Sequence, residues 1–538
     1  MKVRIEDGIV YSPYPDVEMS NCSFYEAVKK TALTNPDKLV LIDDSTALTM
    51  REFHTRLRCY AAAFQQRGLL PGDRVCVHIG NSVENFVAMW GCVVAGASIV
   101  LAKPSLTARE LRYLITDSDS THILVEPALA EKAATASADL PLKGRFVVGS
   151  LAAEGFVPTG PLADIDEATF REVSVEDPRE CVLAVLYTSG TTGMPKGAEH
   201  THYGFLANVG MSRWSFPWDE SDVLLLPTPI THGSGLLFIT ISLLLGTTCV
   251  IVTPSHKLSD VVKVVDKHKV TAAVLMPWHL RTLVDEMRRT SLRLPGIRRV
   301  CTGGSPLSQR QYEEVRAVFG EELQCLANVY GMTEAVALLC SPPREHVIGA
   351  DMGVPAPATQ FKIVDRTTGR RLGPNQTGEI RFRAPTVMKS YYKRPKETAD
   401  FFDEEGWCKS GDAGYYDEDG RLHFVQRFKE MIKCMDNQVV PAELEDILLR
   451  EHSGEIVDVC VVGIASHKYG EAPAAAVVLR NQLSQHERTD LSARVKATVA
   501  ENCAVHKQLY GGVFFVDSIP KTESGKSNRT AVLEKCAA

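Results

Sequence analysis

Residues 181–197 read CVLAVLYTSGTTGMPKG. The first seven form a short apolar run, as expected of a buried strand. A loop of small hydroxyl residues, glycines and one lysine follows directly. Glycines such as Gly190 let a backbone come close to a ligand. Thr188, Ser189, Thr191 and Thr192 add hydroxyl donors, and Lys196 adds a charge suited to phosphate. A solvated surface loop would share the Ser/Gly composition. The fixed order and the anchoring at a strand end favour phosphate binding, because ligands of parallel sheets sit at strand ends.

The flanking sequence places that strand in an α/β fold. Upstream, KLVLID (38–43), RVCVHI (74–79), SIVLA (98–102) and HILV (122–125) read as strands. Between them, Thr49 and Glu52 form a capping box before a helix carrying Phe53, Leu57, Tyr60 and Phe64. Ser82 opens a second helix, and Thr107 with Glu110 caps a third. Downstream, DVLLLP (222–227), TTCVIV (247–252), TAAVLM (271–276) and RRVCT (298–302) continue the series. Alternating strands and helices predict βαβ units, hence parallel-type sheets layered with helices. After about residue 340 short strands such as TGEIRFRA and GRLHFV predict a small β-rich subdomain. After Phe428 the order helix, two strands, helix, strand predicts a small C-terminal α+β domain. The expected division is 1–425, a hinge at 426–427, and 428–538.

A chain of 538 residues exceeds one core, so at least two domains are expected. Apolar residues at 45 % and charged residues at 23 % are ordinary for a soluble protein. A net charge of −7 gives no reason to expect nucleic acid as a partner. Fourteen cysteines without C-x-x-C pairs indicate neither zinc nor a disulfide scaffold, and suit a reducing compartment. No secretory signal is read at the N-terminus. The most apolar run, 236–252, contains Thr, Ser and Gly and reads as a buried helix, Gly246 and a buried strand, so no membrane span is expected. The C-terminus is not S-K-L, which favours a cytoplasmic over a peroxisomal location.

A second lysine loop, PKTESGKS (520–527), looks like the end of a P-loop. The first glycine of that pattern falls on Pro520, which has no N–H to offer and a fixed φ. A P-loop is therefore rejected, and Lys526 needs another reason.

The 187–197 segment resembles the signature of the adenylate-forming superfamily of acyl-CoA synthetases, 4-coumarate–CoA ligases, beetle luciferases and peptide-synthetase adenylation domains. THGSG (231–235), GGSPL (303–307), VYGMTEA (329–335), TGEI (377–380), KSGDAGYYDEDG (409–420), RFKEMIK (427–433), VVPAELE (439–445) and PKTESGK (520–526) match in the family's order. The resemblance implies that a carboxylic acid attacks the α-phosphate of ATP, giving acyl-AMP and pyrophosphate, and that CoA then takes the acyl group. It implies Lys526 as the adenylation lysine, a phosphate lysine presented by a separate, mobile C-terminal domain. It implies Tyr330 against adenine, with Gly331 beside it, Thr333 at the α-phosphate, and Glu334 holding Mg2+. Asp412 and Arg427 would hold ribose. Gly304 and Asn328 would line the adenine and acyl pocket, and His232 would stand between that pocket and the second-step channel. Lys433 would serve the thioester step, and Lys429 and Gln438 belong to the same C-terminal nucleotide-facing set.

The chain departs from the pattern at Gln426, where many relatives have Asp, and at Met435 and Asp436, where ligases usually have Lys-Gly. Asp436 adds bulk and negative charge where the pantetheine arm would pass, so use of CoA is in question. Asn328-Val329 replaces Gln-Gly, and Ser234 stands where a larger residue is common. The expected substrate is a fatty acid first and a 4-coumarate-like acid second. Adenylation with another acceptor, luciferase-like oxygenation and a non-catalytic nucleotide-binding protein remain alternatives. There is no carrier domain in the chain.

Overall fold

Two parallel-containing sheets form the frame of the N-terminal part. In the computed structural model, which describes residues 2–160, 165–188, 194–253, 257–305, 307–344, 349–435, 437–522 and 526–537, the chain divides into two compact units. The large unit comprises Met1–Lys362, Arg381–Lys409 and Asp417–Leu422, and the small one Ile363–Ile380, Ser410–Tyr416 and His423–Ala538.

The first sheet of the large unit has eight strands. Val182–Thr188 lies parallel to Ser98–Ala102, which is followed in space by Arg74–His78, His122–Val125 and Gly144–Val147, all parallel. The second sheet has seven strands, with Cys325–Val329, Arg299–Gly303, Ala272–Val274, Val223–Leu226, Thr248–Ile251 and Leu39–Ile42 in parallel succession. Both are covered on both faces. Val75, Val77 and Ile99 of the first sheet share one core with Leu224, Leu226 and Ile251 of the second. The helices Met50–Gln66, Val83–Val94 and Gly233–Leu244 fill the space between them. The outer face of the first sheet, through Cys76, Ile123 and Val125, packs on Ala108–Asp117 and Ala130–Ser137. The outer face of the second, through Leu225 and Val250, packs on Leu258–His268, Pro277–Arg289 and Gln309–Phe319. Sheet strands buried on both sides explain why the sequence shows continuous apolar runs rather than alternation.

Local signals match these elements. Thr49 and Thr107 make complete capping boxes with Glu52 and Glu110, and Ser82 caps Val83–Val94. The apolar run 236–252 is helix, a left-handed Gly246, and strand. No described helix is long and apolar enough to cross a membrane.

The small unit is built on a sheet whose long hairpin is Ile456–Ser466 with Gly470–Leu479; the free edge of Gly470–Leu479 pairs with Ile432–Cys434 at its start and with Gly512–Phe515 further along. Helices Pro441–Glu451 and Gln485–Asn502 cover one face, and the terminal helix Arg529–Ala537 covers the other through Val532 and Cys536.

Candidate active site

The strand Val182–Thr188 does not lead into a helix. It turns back into Lys196–Thr201 as an antiparallel pair, with Thr188 opposite Lys196. The hydroxyl- and glycine-rich loop is therefore the tip of a hairpin rooted in the first sheet. Ser189, Gly190, Thr191 and Thr192 lie outside the described residues. Thr188 and Lys196, both half-buried, mark where the tip leaves the sheet. Tyr113 donates its hydroxyl to the Pro195 carbonyl at 2.8 Å and ties the hairpin to the helix beside it.

Lys196 and Glu334 are linked through a residue that sequence reasoning missed, Tyr391. Its short strand Ser390–Tyr391 pairs with the outer edge of Lys196–Thr201, placing Tyr391 opposite Ala198. The Lys196 ammonium lies 4.9 Å from the centre of the Tyr391 ring. The Tyr391 hydroxyl donates to Glu334 Oε1 at 2.7 Å. Burial, and then the negative charge of Glu334, push the Tyr391 pKa up, so the phenol stays a donor. The Met388 N–H donates to the Glu334 carbonyl at 2.7 Å. Behind this group, His200 sits on the same strand as Lys196, fully buried, and hydrogen-bonds the Thr333 backbone. Burial lowers its pKa to about 4, so it is neutral. A two-residue strand gives no periodic signal; only the proximity of Tyr391 to the lysine hairpin in the fold reveals it.

Gly304, Asn328, Tyr330 and Gly331 stand at the carboxyl ends of two adjacent parallel strands, where Thr302 pairs with Asn328 and Gly303 with Val329. Asn328 is buried and donates to the Ala350 carbonyl at 2.7 Å, while its Oδ1 has no hydrogen-bond partner among the described residues. Tyr330 is buried and bridges to Cys340. Gly331 is required by space, since a Cβ there would run into the Ala337 carbonyl oxygen. The turn ends at Val336, whose φ is +40°, a strained value for a β-branched residue. The buried Asn208 amide donates to the Val336 carbonyl at 3.0 Å and holds it.

His232 is the N-cap of Gly233–Leu244, and its Nδ1 accepts from the Ser234 N–H at 3.2 Å. That bond leaves the proton of the neutral ring on Nε2. Asn81 fixes the preceding loop, donating to the Thr228 and Val252 carbonyls and accepting from the Ile230 N–H.

In the small unit, Asp412 is not a turn residue. It lies in the strand Cys408–Tyr416, 6 % exposed, with Arg427 Nε 3.4 Å from its Oδ1. Lys433 and Gln438, both exposed, face each other across a two-strand ribbon whose other face, through Ile432, Cys434 and Val439, is buried. Lys429 is exposed on the turn after Arg427. Lys433, Met435, Lys468, Tyr469, Gly470 and Glu471 line a cavity of about 480 Å³. Met435 has φ +51°, and Asp436 lies outside the described residues. Lys526 stands in a closed turn in which Lys521 bridges to Ser527 and the Thr522 N–H donates to the Lys526 carbonyl at 2.6 Å. Gln426, at the expected hinge, is buried and donates to Glu430 at 2.9 Å.

Residues 28–392 match the family model "AMP-binding enzyme", and 443–526 match "AMP-binding enzyme C-terminal domain". The chain belongs to the AMP-binding enzyme family. This AMP-binding enzyme is 30 % identical to 4-coumarate–CoA ligase 2 of Petroselinum crispum over 99 % of this chain and 97 % of that one. It is 29 % identical to luciferin 4-monooxygenase of Nipponoluciola cruciata, over 98 % and 97 %. Among solved structures, o-succinylbenzoate CoA synthetase (MenE) of Bacillus subtilis with its acyl-adenylate OSB-AMP is 25 % identical, with TM-score 0.78 over 96 % of this chain and 98 % of that one. ATP-bound MatB of Rhodopseudomonas palustris shares the fold with TM-score 0.83 at 24 % identity, over 96 % and 99 %. The enzyme is thus adenylate-forming, ATP-dependent and of the acyl-CoA ligase class, and the expected α/β fold is that of its relatives.

Proposed function

We propose that this enzyme activates a carboxylic acid with ATP and transfers the acyl group to CoA. A carboxylate oxygen attacks the α-phosphorus, the bond to the bridging oxygen breaks, and pyrophosphate leaves. The CoA sulfur then attacks the acyl carbon of acyl-AMP, losing its proton as AMP departs. The observation that carries the reading is the Lys196–Tyr391–Glu334 group at the end of the signature hairpin. Positioning and charge stabilisation are what phosphoryl chemistry asks of a protein.

In this reading Thr188, Lys196 and the hairpin tip receive phosphates, Thr333 contacts the α-phosphate, and Tyr330 and Gly304 flank adenine. Asp412 accepts from ribose hydroxyls beside Arg427, and Lys526 supplies the charge that joins carboxylate and α-phosphate. Lys433 and Gln438 act in the second step, with 426–427 as the hinge between 1–425 and 428–538.

Mg2+ fits the chemistry of Glu334. Among the described residues there is no cluster of three metal-ligating side chains, and this hard ion needs only one carboxylate beside phosphates. Bound there, it would neutralise charge on the phosphoryl oxygens. The proposed compartment is the cytoplasm, where the fourteen unpaired cysteines remain reduced.

A second reading, acyl-AMP delivered to an acceptor other than CoA, is favoured by Met435 and Asp436 in place of Lys-Gly. Pyrophosphate release from Mg-ATP across fatty and phenylpropanoid acids, with and without CoA and with products identified by mass, tests both. A thioester supports the first reading, and acyl-AMP alone supports the second. No acid-dependent pyrophosphate from any acid would overturn both.

A further inference from the structure

We propose that Tyr391 is a positioning residue for adenylation: its hydroxyl orients the Glu334 carboxylate toward the divalent cation of the nucleotide, while its ring steadies Lys196. The proposal rests on the roles given above to Glu334 and Lys196.

A carboxylate at the end of a glutamate rotates over a broad, roughly two-fold torsion. The phenol limits that rotation by holding Oε1 at 2.7 Å, which leaves Oε2 for a cation. Tyr391 is itself well fixed. It is 8 % exposed, its N–H donates to Thr398 Oγ1 at 3.0 Å, and its ring meets Phe401 edge-on with centroids 6.0 Å apart. The same segment also grips the Glu334 backbone through Met388. The Lys196 ammonium over the ring is held by attraction to the ring face without a competing anion on the tyrosine. One side chain thus fixes a cation-facing carboxylate and a phosphate-facing ammonium in a single geometry. Losing the outer partner of a metal-binding carboxylate typically costs about 10–100-fold in metal affinity.

The test is calorimetric titration of the full chain with ATP in EDTA and in Mg2+, in the absence of acid. The quantity read is the gain in affinity that Mg2+ brings. Tyr391→Phe keeps the ring, so its metal-free ATP affinity should match the unmutated chain while the Mg2+ gain falls about tenfold or more. Tyr391→Leu should lower metal-free affinity as well, because Lys196 loses its platform. Phe401→Leu disturbs the packing around Tyr391 and keeps the hydroxyl; it should lower Tm with the Mg2+ gain intact. A full gain in Tyr391→Phe, or an equal loss in Phe401→Leu, overturns the proposal. Glu334→Gln separates the two levels: if it keeps the gain, the metal role of Glu334 fails, and the proposal fails with it. If it loses the gain while Tyr391→Phe does not, only the Tyr391 proposal falls.

Discussion

Two lysine-bearing turns in this chain use the same residue types and are built on opposite plans. The 188–196 turn closes two strands of an eight-stranded sheet whose neighbouring residues are buried. The 521–527 turn is closed by its own backbone bonds at an exposed edge, and among the described residues the Lys521 ammonium meets Asp458 at 3.0 Å and Ser527 at 3.2 Å. In the proposed reading the first holds phosphate in one place, and the second presents a charge and withdraws it. Composition alone does not separate the two turns; the element each one closes does.

The largest effect should come from the anchor of the exposed turn. Arg529 follows it by two residues and pairs with Glu445 at 2.6 Å while donating to the Val461 carbonyl. Arg529→Met leaves the Glu445 carboxylate with the Val461 N–H but without its ion-pair partner, and should cost the small unit about 3–5 kcal/mol. Denaturant melts followed by two probes should show an early transition for the small unit and an unchanged one for the large unit. A loss under about 1 kcal/mol would mean the turn does not depend on this anchor.

Lys526→Ala should come next. A point charge used only in the transition state lowers kcat, by about 10²–10³-fold, and leaves the KM for ATP nearly unchanged. Lys196→Ala should instead raise the KM for ATP by about tenfold. Single-turnover acyl-AMP formation measures both, and the reverse pattern would exchange the roles of the two turns.

The large unit should also lose stability in acid. His200 and His202 are buried, and burial lowers both pKa values from 6.5 to about 4. His202 Nδ1 accepts from the Phe24 N–H at 3.1 Å, which fits the neutral ring. Between the two values the unfolded chain binds more protons, so stability is full above pH 6.5 and falls as pH drops toward 4. At pH 5 each histidine should cost roughly 2 kcal/mol. His200→Leu should flatten that slope in a series of melts from pH 7 to 5, and an unchanged slope would show that the ring is not the titrating group.

Much of this fold is legible in the sequence. The strands Ser98–Ala102 and His122–Val125 fall on the residues expected, because a continuous apolar run bounded by polar residues has few other ways to be buried. Caps at Thr49, Ser82 and Thr107 were legible because their bonding is local. Tyr391 was not, since its strand is two residues long and its partners, Lys196 and Glu334, lie far away in the chain. The strain at Val336 depends on the distant Asn208 and leaves no local sign. Nothing in the sequence singles out His200; its contact with the Thr333 backbone comes only from the fold.

The smallest effect concerns Met435 in the small unit. Its left-handed backbone costs an L-residue roughly 1–2 kcal/mol, which glycine would avoid. Glycine gives back about 0.5–1 kcal/mol in chain entropy, and the half-buried Met435 side chain loses its packing against the core of the unit. These terms nearly cancel, so Met435→Gly should shift stability by less than about 1 kcal/mol. That near-neutrality makes the substitution a clean probe of the second step. Met435 lines the cavity that also contains Lys433. If the rate of thioester formation rises while acyl-AMP formation and Tm stay put, the shape at position 435 limits access of CoA to the small unit. If neither rate moves, Met435 is only a tolerated occupant of a left-handed turn, and any bar to CoA must be sought at Asp436 alone.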